Sequence, residues 1–215
     1  MDPVVKHITV NRTARYLTFG NLHEGTRRIW LVCHGYGMLA SFFIKKFEIL
    51  DPDTHFVIAP EALSRSYLDG MSGRVGATWM TSEDREAEIA DYVQYLDAVY
   101  TTEIAGKMPE KCQVTGLGFS QGCATISRWA SKTRYRPDEL VLWGGSPGTE
   151  LLLAQSPLHQ MKIKFVLGDE DEYFTEDVRR QFKEGMALAG FNWPILSYKG
   201  GHSLDSETII TLSTE

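Results

Sequence analysis

Val114-Thr115-Gly116-Leu117-Gly118-Phe119-Ser120-Gln121-Gly122 carries an apolar strand end into a Gly-x-Ser-x-Gly turn, and a helix-forming stretch follows at once. A turn this tight holds its central residue in a strained backbone conformation, and the small residues Gly118 and Gly122 let strand and helix approach closely enough to keep it there. Ser120 is thereby lifted above the sheet edge. Such strain has a use if Ser120 Oγ is a nucleophile and the amide of Gln121 faces the oxyanion formed on attack. Gly116-Leu117-Gly118 also opens a dinucleotide-binding fingerprint, but Gln121 stands where its third glycine belongs, and no acid ends the next strand-like run, Leu140-Val141-Leu142-Trp143.

Upstream, Ile29-Trp30-Leu31-Val32-Cys33 is a continuous apolar run, the pattern of a strand covered on both faces, and it ends in His34-Gly35-Tyr36-Gly37. A His-Gly-x-Gly turn after a central strand supplies backbone N–H groups beside a nucleophile elbow, which makes Tyr36 N–H the second oxyanion donor and leaves His34 a packing role. Further strands are expected at Phe56–Pro60, Cys112–Leu117, Leu140–Gly144, Ile163–Leu167 and Pro194–Tyr198. Helical spacing marks Phe42–Leu50, a stretch from Ser82 to about Thr101 with Ser82 as its cap, Gln121–Lys132, Phe174–Ala189 and a short terminal helix from Ser203. At the start, Val4–Val10 and Arg15–Phe19 alternate apolar and polar residues around Asn11-Arg12-Thr13, the pattern of an antiparallel hairpin at a sheet edge. Glu61–Thr81 reads as one long Gly- and Ser-rich loop, of a length that often serves function. The alternation predicts a single α/β domain over residues 1–215: a mostly parallel, doubly wound sheet with an N-terminal antiparallel hairpin.

Two more strand ends complete the chemistry. Ile163–Leu167 runs into Gly168-Asp169-Glu170-Asp171-Glu172, a crowd of carboxylates, and the last strand runs into Gly200-Gly201-His202. A serine hydroxyl is almost wholly protonated at neutral pH, so attack on a carbonyl needs a base, and that base needs a carboxylate to fix its tautomer. Serine, then acid, then histidine is the chain order of the α/β-hydrolase fold, and Ser120, an Asp of the acidic turn and His202 fall in it.

Composition removes other classes. A net charge of −6, with no Lys/Arg run interleaved with aromatics, argues against a nucleic-acid partner. The three cysteines, Cys33, Cys112 and Cys123, form no CxxC pair and suggest neither a disulfide framework nor a metal site. No apolar run approaches the roughly 18 residues of a membrane span, and the chain start has no signal-peptide pattern, so a cytoplasmic protein is expected.

The sequence also resembles the phospholipase/carboxylesterase family of small serine esterases, which includes the acyl-protein thioesterases. The likeness covers nearly the whole chain and rests on His34-Gly35-Tyr36-Gly37, Gly118-Phe119-Ser120-Gln121-Gly122, Gly168-Asp169-Glu170-Asp171 and Gly201-His202-Ser203. It implies hydrolysis of carboxylic esters, with thioesters and lysophospholipids in range, through an acyl-enzyme on Ser120 and without metal or organic cofactor. It also assigns the triad acid to Asp171, with Asp169 as the alternative. Met38-Leu39, Cys123 and Tyr173-Phe174 depart from the family pattern near the expected pocket. They point to an apolar substrate site shaped by Met38, Leu39, Trp79, Tyr173 and Phe174, each of which also suits a core. Expected partners are a small-molecule ester or thioester, with a homodimer a compatible assembly. Two rival functions share these residues: a non-catalytic binding protein on the same fold, and an acyltransferase or lyase using the same nucleophile.

Overall fold

The computed structural model describes residues 2–214. Along the chain run β1 (Tyr16–Phe19), β2 (Arg28–Cys33), the one-turn helix α1 (Ala40–Phe43), β3 (His55–Pro60), β4 (Ser64–Tyr67), β5 (Val75–Thr78), α2 (Arg85–Glu103) and β6 (Gln113–Phe119). They are followed by α3 (Gln121–Lys132), β7 (Glu139–Trp143), β8 (Lys162–Gly168), α4 (Glu176–Leu188), β9 (Ile195–Tyr198) and α5 (Ser206–Thr214). Seven strands form one sheet in the order β1-β3-β2-β6-β7-β8-β9. All neighbours are parallel except β1, which lies antiparallel to β3.

The continuous apolar runs explain why the central strands sit where they do. Successive side chains point to opposite faces, and both faces are covered. Ile29, Leu31 and Cys33 of β2, with Leu140 and Leu142 of β7, pack under α2 and α3 through Tyr92, Leu96, Ile126 and Trp129. Trp30 and Val32, with Val141 and Trp143, face Phe43 and Phe47 and, from α5, Ile209 and Leu212. This two-faced burial makes a doubly wound α/β arrangement, a mostly parallel sheet with helices on both sides.

Several elements depart from the sequence reading. The antiparallel edge is present, but the partner of β1 is β3: Tyr16 stands opposite Pro60 and Phe19 opposite Val57, while Val4–Val10 carries no strand. Val4, Val5, Ile8 and Val10 are all exposed, so their alternation has no apolar face to meet. His7 instead bonds Asp84, and Arg12 bonds Leu63 O. The helix expected over 42–50 is α1 continued by a 3-10 turn, Ile44–Phe47. Helix α2 begins at Arg85, with Asp84 rather than Ser82 at its cap position and in the left-handed region at φ +46°. The long loop holds a second, two-stranded sheet, in which Ser64 pairs with Thr78 and Tyr67 with Val75.

The sheet register sets the site. Gly118 lies beside Cys33 and Phe119 beside Trp143, so β2, β6 and β7 end together at the carboxyl edge. Gly168 of β8 lies beside Tyr198 of β9 at that same edge. The carboxyl edge is where open α/β sheets gather their ligand-binding loops.

Candidate active site

Ser120 occupies the turn between β6 and α3 at φ +53° and ψ −118°, a conformation costly for any residue with a Cβ. Backbone bonds enforce it: Ser120 N donates to Trp143 O at 2.8 Å, and Cys123 N donates to Ser120 O at 3.0 Å. The flanking glycines are sterically required. A Cβ on Gly118 would stand 2.3 Å from Gly122 O, and one on Gly122 would stand 2.1 Å from Cys33 O. The sequence reading of a strained elbow held by two small neighbours is what the fold contains.

On the acid side, His202 Nδ1 donates to Asp171 Oδ2 at 2.8 Å, with the Asp171 side chain 1% and the His202 side chain 14% exposed. Tyr173 N donates to the other oxygen, Asp171 Oδ1, at 2.9 Å. A carboxylate held this way fixes the Nδ1–H tautomer and leaves Nε2 with its lone pair free. Asp169 is exposed and does something else: its Oδ1 accepts from Gly200 N at 2.8 Å, lacing the acid turn to the histidine turn. Glu170 N adds a bond to Gly200 O, and Tyr198 Oη donates to Gly201 O. The His202 ring lies between Phe119, 4.8 Å away, and Tyr173, whose ring meets it edge-on at 4.7 Å.

Ser120 and His202 line one cleft of about 460 Å³ together with Gly35, Tyr36, Met38, Phe119, Gly144 and Tyr173. Ser120 Oγ makes no hydrogen bond among the described residues; nucleophile and base commonly tighten only once substrate is present. The amide of Tyr36, which lines this cleft, and the amide of Gln121, next in the chain to Ser120, donate to no acceptor among the described residues. Tyr36 and Tyr173 stand exposed at the mouth.

The five residues read as substrate-binding divide. Met38 and Tyr173 line the cleft, and Leu39 lines an adjoining hollow with Met38. Trp79 and Phe174 are buried and line neither hollow. Trp79 packs on the His34 ring at 5.2 Å and donates from Nε1 to His34 O at 2.8 Å. Phe174 packs edge-on against Phe182. Residue type alone does not separate a pocket wall from a core, since both draw on the same side chains.

His34 is buried and structural. Its Nδ1 donates to Gly35 O at 2.8 Å while Nε2 accepts from Ala62 N at 3.1 Å, and burial pushes its pKa below the usual histidine value. Cys123, beside the elbow, is fully buried, donates to Gly118 O, and has its thiol pKa pushed up by that burial, so it packs and does not react.

Two supports escaped the sequence reading. The side chain of Gln121 grips the segment after β5: Oε1 accepts from Trp79 N at 3.1 Å, and Nε2 donates to Met80 O at 2.9 Å and to Thr78 Oγ1 at 3.0 Å. The hairpin is then zipped to the turn after β2, with Gly37 N donating to Ala77 O at 2.9 Å and Ala77 N to Met38 O at 3.1 Å. An Asp69-Gly70 turn between Ser64–Tyr67 and Val75–Thr78 was the available hairpin signal. The second support is Glu61, whose carboxylate takes Arg15 Nε at 2.6 Å, Arg65 at 2.9 Å and Ala40 N at 3.3 Å. Burial alone would raise its pKa, but the two guanidinium groups outweigh that and hold it low.

Among the described residues no group of three or more His, Cys, Asp or Glu side chains could hold a metal ion, and no helix is long and apolar enough to cross a membrane. No family model matches the sequence, and no curated protein matches it either. Solved structures do match. Acyl-protein thioesterase 2 of Zea mays is 20% identical with a TM-score of 0.67, over 94% of this chain and 97% of that one. Esterase PE8 is 16% identical with a TM-score of 0.64, over 94% and 97%. The Bacillus cereus carboxylesterase is 13% identical with a TM-score of 0.62, over 95% and 93%. At such identities the likeness establishes the α/β-hydrolase fold.

Proposed function

We propose that this chain is a serine hydrolase that cleaves carboxylic esters, thioesters included, through an acyl-enzyme on Ser120. The observation that carries this reading is the 2.8 Å bond from His202 Nδ1 to a buried Asp171, which leaves His202 Nε2 as a base in the cleft that Ser120 lines. The names of the structural neighbours, a thioesterase, an esterase and a carboxylesterase, support the same class of chemistry.

In the cycle, His202 Nε2 takes the Ser120 Oγ proton as Oγ bonds to the acyl carbon, and the carbonyl π electrons move onto oxygen. The Tyr36 and Gln121 amides donate to that oxyanion, and Asp171 stabilises the imidazolium. The oxyanion collapses, the bond to the alcohol or thiol breaks, and the leaving group departs with the His202 proton. Water then repeats the attack, His202 again serving as base, and releases the acid with Ser120 restored.

Ser120→Ala tests the assignment. The variant is expected to keep the wild-type circular dichroism spectrum, to lose p-nitrophenyl ester turnover by a factor of about 10⁴ or more, and to refuse a fluorophosphonate label that the wild type accepts. Activity near the wild-type level in the variant overturns the proposal. Failure of the folded wild type to label favours a binding protein on this fold.

A further inference from the structure

Beside the cleft lies a second hollow of about 380 Å³, lined by Gly37, Met38, Leu39, Phe42, Arg74 and Val75. Met38 belongs to both, so the two are continuous along one wall. Apart from Arg74 its side chains are apolar. Phe42 is a large exposed aromatic on this wall, and Lys45 Nζ stands over its ring at 5.8 Å. Among the described residues neither Arg74 nor Lys45 is paired with a carboxylate. One guanidinium with no carboxylate partner thus lines an apolar hollow, and an ammonium stands over the ring of one of its wall residues, on a chain whose net charge is −6.

From this juxtaposition we infer that the substrate's acyl chain is an apolar stem ending in an anionic group, a carboxylate above all, with the stem in the Met38, Leu39, Phe42 and Val75 hollow and the anion at Arg74. The inference rests on Ser120 being the acylated residue. Charge complementarity carries it. An unmodified fatty acyl chain would use the apolar wall and leave Arg74 idle, whereas a terminal carboxylate takes the fork of Arg74 in the geometry guanidinium groups favour. Leu68 N donates to Arg74 O at 2.8 Å, which sets the Arg74 main chain in the hairpin turn beside the hollow.

The test compares p-nitrophenyl hexanoate with mono-p-nitrophenyl adipate, esters of equal chain length that differ in the terminal carboxylate. The wild type is expected to favour the adipate in kcat/KM, and the ratio of the two values is expected to fall about fivefold in Arg74→Gln and about tenfold in Arg74→Glu. Arg74→Lys should retain part of the preference, and salt near 1 M, where the Debye length shrinks to about 3 Å, should erase it. Hydrolysis of the hexanoate with no adipate preference, or an equal loss on both esters in Arg74→Glu, overturns the inference while leaving the esterase reading intact. Hydrolysis of neither ester removes the esterase reading and the inference with it. If charge reversal leaves the ester ratio alone but abolishes binding to phosphatidylserine vesicles, the cations serve a lipid surface and the inference is likewise overturned.

Discussion

Two aspartates two residues apart do different work. Asp171 is buried and bonded to His202, whereas Asp169 is exposed and bonded to a backbone amide of the neighbouring turn. Asp171→Asn is expected to lower kcat by about 10³ to 10⁴, because an amide no longer favours the Nδ1–H tautomer or the imidazolium. Asp169→Asn keeps an acceptor for Gly200 N and should cost less than tenfold; steady-state kinetics on a p-nitrophenyl ester separates the two. Tyr173 supplies its amide to Asp171 and its ring edge to His202, and only the ring is lost in Tyr173→Ala. That variant should lose about tenfold in kcat/KM through looser positioning of the imidazole, and Tyr173→Phe should recover most of it. The triad candidates were legible in the sequence because each follows a strand and small residues mark the turns. The roles of Trp79 and Phe174 were not, because an aromatic ring suits a cavity wall and a core equally well.

At the level of elements, the continuous apolar strands were the easiest to read and the N-terminal alternation the most misleading. Period-2 patterning shows that a segment can form a two-faced strand. It does not show that an apolar surface waits for one face, and none does for Val4–Val10. The hairpin of β4 and β5 stayed hidden because its strands are short, four residues each, and rich in Gly and Ser. Yet this hairpin braces the turn that offers Tyr36 N–H. A Cβ on Gly76 would lie 2.6 Å from Gly37 O, so hairpin and turn pack backbone to backbone. Gly76→Ala is therefore expected to push the two apart, reducing kcat/KM by about 10²-fold while a folded, cooperative melting transition remains. Faster amide exchange at Gly37 and Ala77, read by mass spectrometry, would confirm the cause, and unchanged exchange would refute it.

For the molecule as a whole, acid sensitivity follows from which groups the fold holds away from their ordinary pKa values. The hydrogen bond from Arg128 keeps Glu150 down at about 2, against an ordinary 4.5, with Arg85 adding a second cation. A depressed carboxylate contributes stability above the unfolded value and loses it as pH falls, here between 4.5 and about 2. His34 acts earlier: burial lowers its pKa, so below the ordinary 6.5 the unfolded chain takes up a proton that the folded chain refuses. The melting temperature should thus begin to fall just below pH 6.5 and fall further below pH 4.5. In Glu150→Gln the second decline should flatten, the two melting curves approaching each other near pH 2; curves that stay parallel from neutral to acid would show that the Arg128 contact adds nothing.

Gln121 joins these scales, since its main chain follows Ser120 at the elbow while its carboxamide holds Thr78, Trp79 and Met80. Anyone who redesigns selectivity by transplanting the hairpin inherits a constraint. The graft must present the same hydroxyl, amide and carbonyl at its exit, or the amide geometry at the elbow will drift along with the new wall.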